Sequence, residues 1–348
     1  ALRLGRRADP SLAHGRTRGR LILRRAIALA LCLGLAACGS RDAPLASLEV
    51  AEPGAFSAAL SPDGRQAVIG SLRHGGSLWE LDTDQRRFNW NHRAGESTPI
   101  TAVAFAPGGD AVMTASHDTL VLWDTASGGA ITYFTAPAKV NAMALGPGGR
   151  LALLGLSDDT AVLFDARKGG IRRVFAHEGR VRSVALDADA RLALSGSEDR
   201  SARLWDVASG AQLQRWQHDA DVRLVALAPD GARALSVSKY DRAVVWDTSS
   251  GRELGALPAF RARVTRGETW TAAAFSADGA RLLTGTTDRR VQLWDLPALE
   301  RRAQWEMPRR AEWKRSGAYI LAVGFGAAEG ACLSVSADGF VHRLRLTP

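Results

Sequence analysis

The sequence is poor in the residues that build metal and cofactor sites. Three Cys and seven His occur in 348 residues, with no Cys-x-x-Cys or His-Glu-x-x-His spacing, which excludes the usual zinc motifs. No Gly-x-Gly-x-x-Gly loop opens a helix, so a phosphate-binding loop is not expected either. We predict no metal, no cofactor and no catalytic residue, and therefore a protein that is not an enzyme.

The apolar run at residues 26–37 is only twelve residues long. This is too short to cross a bilayer but suits the core of a signal peptide. The run follows Arg24 and Arg25, and we predict that residues 1–37 are a signal peptide. Residues 1–20 are interpreted as a start assigned too far upstream, because the basic region is long and does not begin with Met. A twin-arginine export signal is the alternative, although the residues around the arginine pair match it poorly.

Acidic residues are nearly as frequent as basic ones once this leader is set aside. The formal charge of the chain is +9, but residues 1–37 contain eight Arg and one Asp. Removing them leaves 37 basic and 35 acidic residues, a net charge of +2. The exported part lacks the basic excess of a nucleic-acid-binding protein, so we predict no nucleic-acid partner.

The three cysteines leave no pair for an intramolecular disulfide in the mature chain. Cys32 lies inside the predicted signal peptide. Cys332 lies in the apolar strand pattern 331–335, where a buried and unreactive thiol is expected. Cys38 is discussed separately, because its position suggests a modification.

Cys38 stands directly after the apolar run, in the sequence Leu35-Ala36-Ala37-Cys38. This resembles the lipobox of bacterial lipoproteins and implies a diacylglyceryl group on the Cys38 thiol, with cleavage before it and acylation of the new amino group. Two or more acyl chains anchor a protein stably. We predict a lipidated tether at residues 38–44 and an outer-membrane lipoprotein facing the periplasm, with the outer leaflet of the inner membrane or the cell surface as alternatives. The competing reading is that Cys38 ends an ordinary cleaved signal.

An aromatic residue followed by an acid recurs at nearly constant intervals. The successive spacings are 44, 41, 41, 41 and 48 residues, which indicates an array of structural repeats. The pairs are Trp79-Glu80, Trp123-Asp124, Phe164-Asp165, Trp205-Asp206, Trp246-Asp247 and Trp294-Asp295.

The stretch 180–210 shows the strands of one repeat most clearly. Alternation at residues 181–186, the runs at 192–197 and 201–205, and a further run at 212–217 predict four short strands. Clusters of Pro, Asp and Gly make tight turns between the first two strands of most copies. Four strands in about forty residues, ending in an aromatic–acid pair, resemble one blade of the WD-repeat β-propeller family.

This resemblance implies how the fold closes. A seventh copy, from Tyr319 to Leu346, has Leu344-Arg345 in place of the aromatic–acid pair and lacks a fourth strand. In the family an N-terminal strand completes the last blade, and the stretch from Leu45 to Ala51 is available here. We predict an all-β, seven-bladed β-propeller of four-stranded antiparallel blades over residues 45–348, closed by that N-terminal strand and monomeric.

The resemblance also implies hydrogen-bond sets that run from Trp through Ser or Thr and His to Asp. Because they repeat from blade to blade, we predict a structural role for them rather than a hydrolase triad. The sets are His177, Ser195, Asp199 and Trp205; His218, Ser236, Asp241 and Trp246, with Asp241 shifted by one residue in its turn; and His92, Thr114, Asp118 and Trp123.

Partners of the family often dock on the rim of the central channel. The resemblance implies that the position after the first apolar residue of each innermost strand lies there, on the face with the connections between blades. The candidate partner-binding residues are Phe56, Thr101, Asn141, Arg182, Arg223, Thr271 and Leu321.

Two long connections, residues 260–266 and 300–315, contain nine basic and three acidic residues with two Trp between the charges. We predict a basic-aromatic patch for partners or anionic polymers. The alternative is that Trp305 packs in an outer strand and the charges are simply solvated. The candidate residues are Trp305, Arg309, Arg310 and Trp313.

These features predict a membrane-anchored, non-enzymatic scaffold for proteins of the bacterial cell envelope. One alternative is an enzyme or small-ligand receptor that uses the central channel, although the aligned rim offers no base. Another is a cell-wall or anionic-polymer binder that acts through the basic connections. The scaffold itself does not define its task, because one fold hosts many functions.

Overall fold

The structure is a computed structural model that describes residues 43–346 except 53, 72, 94, 240–241, 259–268, 297 and 311–317. Within this range the protein is all-β, with 28 strands in seven four-stranded antiparallel sheets and one 3-10 turn, Pro147–Gly149. This part of the chain has no helix with the length and hydrophobicity needed to cross a bilayer. The predicted signal peptide and Cys38 lie outside the described residues. The prediction of a seven-bladed propeller is confirmed.

Blades one to three follow one another along the chain, each with its first strand innermost. Blade one consists of β2 (Ala55–Leu60), β3 (Gln66–Ser71), β4 (Gly75–Glu80) and β5 (Gln85–Trp90). Blade two consists of β6 (Ala102–Phe105), β7 (Ala111–Ser116), β8 (Thr119–Asp124) and β9 (Ala130–Thr135). Blade three consists of β10 (Val140–Leu145), β11 (Leu151–Leu156), β12 (Thr160–Asp165) and β13 (Ile171–Ala176).

Blades four to six repeat this order, and blade seven departs from it. Blade four consists of β14 (Val181–Leu186), β15 (Leu192–Ser197), β16 (Ser201–Asp206) and β17 (Gln212–Gln217). Blade five consists of β18 (Val222–Leu227), β19 (Arg233–Ser238), β20 (Ala243–Asp247) and β21 (Glu253–Ala256). Blade six consists of β22 (Trp270–Phe275), β23 (Arg281–Thr286), β24 (Arg290–Asp295) and β25 (Glu300–Glu306). Blade seven consists of β26 (Ile320–Phe325), β27 (Ala331–Ser336), β28 (Phe340–Arg345) and β1 (Ala46–Glu49).

The hydrophobic core is divided among the junctions between blades. Seven clusters of buried apolar side chains occur among the described residues, and each combines residues of two neighbouring blades. At the junction of blades two and three, for example, Met113 packs with Leu154 and Phe164. Each sheet is therefore covered on both faces by its neighbours, which is why second strands such as β11 are apolar along nearly their whole length.

The ring is closed by pairing the two ends of the described chain. Strand β1 runs antiparallel to β28 with Ala46 opposite Arg343 and Glu49 opposite Phe340. Val50 and Ala51, which follow β1, are buried in the cluster that joins blades seven and one. The predicted closing strand therefore exists, although it is shorter than the predicted stretch from Leu45 to Ala51.

Gly339 allows the closing segment to pass directly over the last hairpin. Its backbone has φ = +91°, and a Cβ added to it would lie only 1.8 Å from the Ala51 carbonyl oxygen. The Gly339 carbonyl accepts a hydrogen bond from the Val50 amide at 2.8 Å. Any residue with a side chain would therefore both strain the turn and displace the strand that closes the ring.

Candidate interaction surface

The connections between blades lie on one face of the ring, here called the upper face, and the hairpins between first and second strands lie on the opposite, lower face. The predicted rim residues lie at the upper ends of the innermost strands. Six of them sit where the register of the first two strands shifts by one residue, as in a β-bulge, which leaves the extra residue unpaired and re-aims its side chain. These are Phe56, Asn141, Arg182, Arg223, Thr271 and Leu321. Thr101 directly precedes β6, and its amide donates to the Ala115 carbonyl at 2.8 Å.

Some rim side chains hold neighbouring blades together. Asn141 Nδ2 donates to the Val181 carbonyl at 3.0 Å, and Thr271 Oγ1 donates to the Ile320 carbonyl at 2.6 Å. Both bonds cross from one innermost strand to the next. These two polar groups are used within the ring, so they are poorer candidates for contacting a partner.

Phe56 is the exposed aromatic residue of the rim. Its side chain is 48% exposed, although it stands at the start of β2. Leu321, at the equivalent position of blade seven, is instead partly buried against the cluster between blades seven and one. Exposed aromatic residues supply much of the binding energy at protein interfaces, which makes Phe56 the strongest apolar anchor on this rim.

Two rim arginines share one carboxylate. Glu198 Oε1 accepts from Arg182 Nε at 2.7 Å and lies 3.6 Å from a terminal nitrogen of Arg223. Arg223 also pairs with Asp221 at 2.7 Å. Both arginine side chains stay about one third exposed. The carboxylates hold the guanidinium groups in place and leave their outer edges accessible on the upper face.

The predicted hydrogen-bond set of blade four is assembled in full. Trp205 Nε1 donates to Ser195 Oγ at 2.9 Å, Ser195 Oγ lies 2.7 Å from His177 Nε2, and His177 Nδ1 lies 2.9 Å from Asp199. Burial alone would raise the pKa of Asp199, but hydrogen bonds from His177, Ser201 and the Glu178 backbone together hold it below its ordinary value. The Ser195 hydroxyl is fully buried, so the set fixes the blade and offers no nucleophile to solvent.

Blade five repeats the inner part of this set. His218 Nε2 lies 2.8 Å from Ser236 Oγ, which accepts from Trp246 Nε1 at 2.7 Å. Asp241 lies outside the described residues.

Blade two differs from the prediction, because Thr119 takes the place assigned to Asp118. His92 Nδ1 lies 2.7 Å from Thr119 Oγ1, while His92 Nε2 lies 2.8 Å from Thr114 Oγ1. Asp118 points outward, with its side chain 47% exposed and 3.5 Å from His117 Nδ1. The turn is one residue shorter than in blade four, since Trp123 lies nine positions after Thr114, whereas Trp205 lies ten positions after Ser195.

The outer strand of one blade inserts its aromatic residue into the next blade. Trp90 of β5 stacks on Trp123 of blade two with ring centroids 5.1 Å apart, and its Nε1 donates to the Gly128 carbonyl at 2.9 Å. Trp216 and Trp246 form the same pair between blades four and five. Each such pair adds about 1 kcal/mol beyond the burial of its area, so the repeated geometry of these junctions stiffens the ring.

Sequence reasoning missed a buried histidine at the closure. His342 of β28 lies 2.8 Å from Ser47 Oγ through Nδ1 and 3.0 Å from Ser336 Oγ through Nε2. Burial lowers the pKa of His342 to about 4. The available signal was the inward position of His342 in the last strand, opposite the candidate closing strand.

The prediction that Trp305 binds partners is wrong. Residues 300–306 form the outer strand β25, and Trp305 is only 1% exposed within the cluster between blades six and seven. A charged strand can still bury one face, because its side chains alternate. Trp313 and residues 260–266 lie outside the described residues.

Arg310 is committed to the ring, whereas its neighbour Arg309 is exposed. Arg310 pairs with Glu49 of the closing strand and donates to the Asp338 carbonyl at 2.9 Å and the Ala51 carbonyl at 3.3 Å. Its guanidinium carbon also lies 5.5 Å from the centre of the Phe340 ring. Of the four candidate residues named for the basic patch, Arg309 is therefore the accessible one within the described part of the chain.

The central channel forms a cavity of about 910 Å³ toward the lower face. Ala104, Ala144 and Phe105 are typical of its lining, in which Asp63 and Arg65 are the charged residues. Among the residues that the structure describes, no three His, Cys, Asp or Glu side chains are grouped for a metal ion.

Cys332 lies apart from these surfaces, buried at the junction of blades six and seven. Burial raises the pKa of its thiol to about 11, so the thiolate is scarcely populated at neutral pH.

Comparison with known families finds three segments that match the model described as WD domain, G-beta repeat. The chain contains WD40 repeats. The matched residues are 88–124, 169–206 and 263–295. The first two each start in the outer strand of one blade and end after three strands of the next, which is why Trp90, His92 and Trp123 belong to one repeat. Among curated proteins, no sequence matches the chain.

Proposed function

We propose that this WD40 propeller is a membrane-anchored, non-enzymatic scaffold that holds protein partners at the bacterial cell envelope. The observation that carries the proposal is the rim of the upper face, where bulges present Phe56, Arg182 and Arg223 from a closed ring. Phe56 lies across the channel from Arg182 and Arg223, so the rim carries the aromatic and arginine residue types that are enriched in protein-binding hot spots. WD40 propellers commonly serve protein–protein interaction, and the fold fits that role.

The ring is suited to binding without rearrangement. Seven apolar clusters fasten each described blade to both neighbours, and the rim is further fixed by bonds such as that from Asn141 to the Val181 carbonyl. A surface that is already ordered loses little conformational entropy when a partner docks. The scaffold therefore presents its rim in a single arrangement.

The membrane anchor is proposed from the sequence. Leu35-Ala36-Ala37-Cys38 carries the lipobox pattern after a basic and apolar leader, and Gly39 lacks the acidic character that retains such proteins at the inner membrane of enteric bacteria. We place the protein in the outer membrane, facing the periplasm. Metabolic labelling with an alkyne fatty acid tests this directly, because the labelled band must disappear in the Cys38→Ser variant.

Site-specific photocrosslinking in intact cells tests the scaffold proposal. A photoreactive phenylalanine analogue replaces Phe56 in one variant, and in the control it replaces Tyr133, an exposed aromatic residue of the outer strand β9. We expect discrete protein adducts from position 56, weakened at least about tenfold by Arg223→Glu because a hot-spot arginine is lost, and none of the same size from position 133. Equal adducts from both positions, or none from position 56, would remove the support for a partner-binding rim.

A small-ligand receptor is the second candidate, because the channel cavity has the size and apolar lining of a ligand pocket. Filling it with Ala144→Leu separates the two functions. The scaffold proposal expects unchanged crosslinking from position 56, whereas a receptor whose partners depend on a bound ligand would lose its adducts.

A further inference from the structure

The lower face has a basic pocket where blades three and four meet. The pocket has a volume of about 670 Å³ and is open to solvent. Five basic side chains and one acidic side chain line it, which gives a strong local excess of positive charge. The basic residues are Arg150, Arg167, Lys168, Arg172 and Arg173, and the acidic residue is Asp165.

The charge of Asp165 is used inside the protein. The residue is 6% exposed, pairs with Arg172, and accepts from the backbone amides of Lys168 at 2.8 Å and Arg167 at 3.1 Å. The hydrogen bond from Arg172, with the two backbone bonds, holds the pKa of Asp165 below its ordinary value. One carboxylate therefore offsets one of the five cations, and four charges remain uncompensated within the pocket.

The remaining cations are held in position without being neutralised. Arg173 donates to the Ala208 carbonyl and Arg167 to the Gly148 carbonyl, both at 2.7 Å. Arg150 and Lys168 are exposed, and their side chains form no ion pair with any residue that the structure describes. Outside the pocket, hydrogen bonds from Ser127 hold the pKa of Asp124 of blade two below its ordinary value, and the charge of Arg167 acts in the same direction. The pocket thus presents fixed positive charge to solvent.

The outer strand of blade three exposes two aliphatic side chains near the pocket but outside its lining. Ile171 is 47% exposed and Val174 is 58% exposed, and both lie on strand β13 with Arg172 and Arg173. A soluble anion gains nothing from exposed aliphatic groups, whereas the boundary between headgroups and acyl chains accommodates cations and aliphatic groups together. The combination favours a lipid surface over a small anion.

The position of the pocket in the ring agrees with this ligand. The described chain enters blade seven from the lower face, since β1 begins opposite Arg343 at the lower end of β28. In a ring of seven blades, the junction of blades three and four lies opposite blade seven. We propose that the basic pocket binds anionic phospholipid headgroups, and that it holds the lower face against the membrane opposite the point where the lipid tether arrives.

This proposal rests on the proposed lipid anchor for its orientation but not for the pocket itself, so the two are tested separately. The mature chain with Cys38→Ser carries no lipid and is mixed with sucrose-loaded vesicles of phosphatidylcholine, with or without about 30% phosphatidylglycerol. We expect cosedimentation only with the anionic vesicles. Arg150→Glu with Lys168→Glu should weaken it at least about tenfold, since each basic residue near an anionic surface contributes severalfold to binding.

The matched control is Lys139→Glu with Arg180→Glu. These two substitutions change the net charge by the same amount as the pocket variant, and both residues are exposed at the upper ends of blades three and four. Binding to the anionic vesicles should therefore stay within about twofold of the parent. Equal loss in both double variants would mean that only net charge matters and would overturn the proposal. Cosedimentation that is the same with and without phosphatidylglycerol would also overturn the proposal. Binding of free glycerol phosphate at the pocket that is as tight as binding of the anionic vesicles would overturn it too. Failed fatty-acid labelling of Cys38 would remove the anchor but leave these vesicle results standing.

Discussion

Ser47 Oγ lies 2.8 Å from Nδ1 of His342, which joins residues 295 positions apart in the sequence. Ser336 Oγ donates to Asp338, so it accepts from His342 Nε2–H, and Nδ1 is left to accept from the Ser47 hydroxyl. The strand that closes the propeller is therefore attached by a side-chain bond from the exposed Ser47 to the buried His342, as well as by its backbone ladder. This arrangement makes the stability of the whole ring sensitive to one hydroxyl group.

Ser47→Ala should destabilise the protein by about 1–3 kcal/mol, because it leaves a buried histidine nitrogen without its donor. Hydrogen exchange should accelerate in residues 46–49 before it does in blades two to five. Ser97→Ala is the control, since Ser97 is exposed in a loop and should stay within about 0.5 kcal/mol of the parent. Unchanged stability and exchange in Ser47→Ala would show that the backbone ladder alone closes the ring.

Acidification should destabilise the propeller before its carboxylates titrate. Burial lowers the pKa of both His342 and His92 to about 4, below the ordinary value of 6.5. The unfolded chain then binds protons that the folded chain does not, so this contribution to stability is complete above pH 6.5 and is lost as the pH falls toward 4. The expected observation is a melting temperature that decreases steadily between pH 6.5 and 4.

The contribution of the histidines to this decrease in melting temperature can be measured separately. The His342→Asn variant should be less stable at pH 7. Its melting temperature should decrease less steeply between pH 6.5 and 4, because one of the two titrating groups is gone. Protonation of Asp199 belongs to a lower window, since its pKa is held below 3.8. A melting temperature that is flat or rises on acidification from pH 6.5 would contradict the assignment.

Arg310 and Arg309 should differ sharply although they are adjacent. Arg310→Ala removes the pair with Glu49 and the bonds to Asp338 and Ala51, and should cost about 1–3 kcal/mol by releasing the closing segment. Arg309→Ala changes an exposed side chain and should be nearly neutral. Denaturant unfolding of both variants measures the difference, and equal stabilities would mean that Arg310 does not help to close the ring.

The blade count was predictable because the aromatic–acid pairs mark the end of each third strand at a nearly constant spacing. Closure was predictable by counting strands, since the seventh copy lacked one strand and the segment before β2 supplied one. Both inferences use periodicity, which tertiary packing does not change.

The errors arose where contacts depend on turns or on distant residues. The shorter turn of blade two moved Asp118 outward, and the spacing from Thr114 to Trp123 already contained that signal. The charges of residues 300–306 suggested an exposed connection. These residues form a strand instead, and Trp305 is buried on its inner face. The pairing of Arg310 with Glu49 spans 261 residues, and no local pattern indicates such a contact.

The corrected set of blade two predicts a contrast between two adjacent residues. Thr119 Oγ1 donates to the Ser116 carbonyl at 2.9 Å and accepts from His92 Nδ1, while Thr114 receives the Trp123 N–H at 2.8 Å. Thr119→Ala breaks this chain beside a half-buried imidazole and should destabilise the protein by about 1–2 kcal/mol.

Asp118→Ala is the matched control, because it removes the exposed carboxylate that the sequence pattern had suggested for the same role. It should change the free energy of unfolding by less than about 0.5 kcal/mol. Thermal melts of both variants at pH 7.5, where His92 is neutral, decide the matter. If Asp118→Ala proves the more damaging change, His92 is held by the carboxylate and the hydrogen-bond chain through Thr119 is wrong.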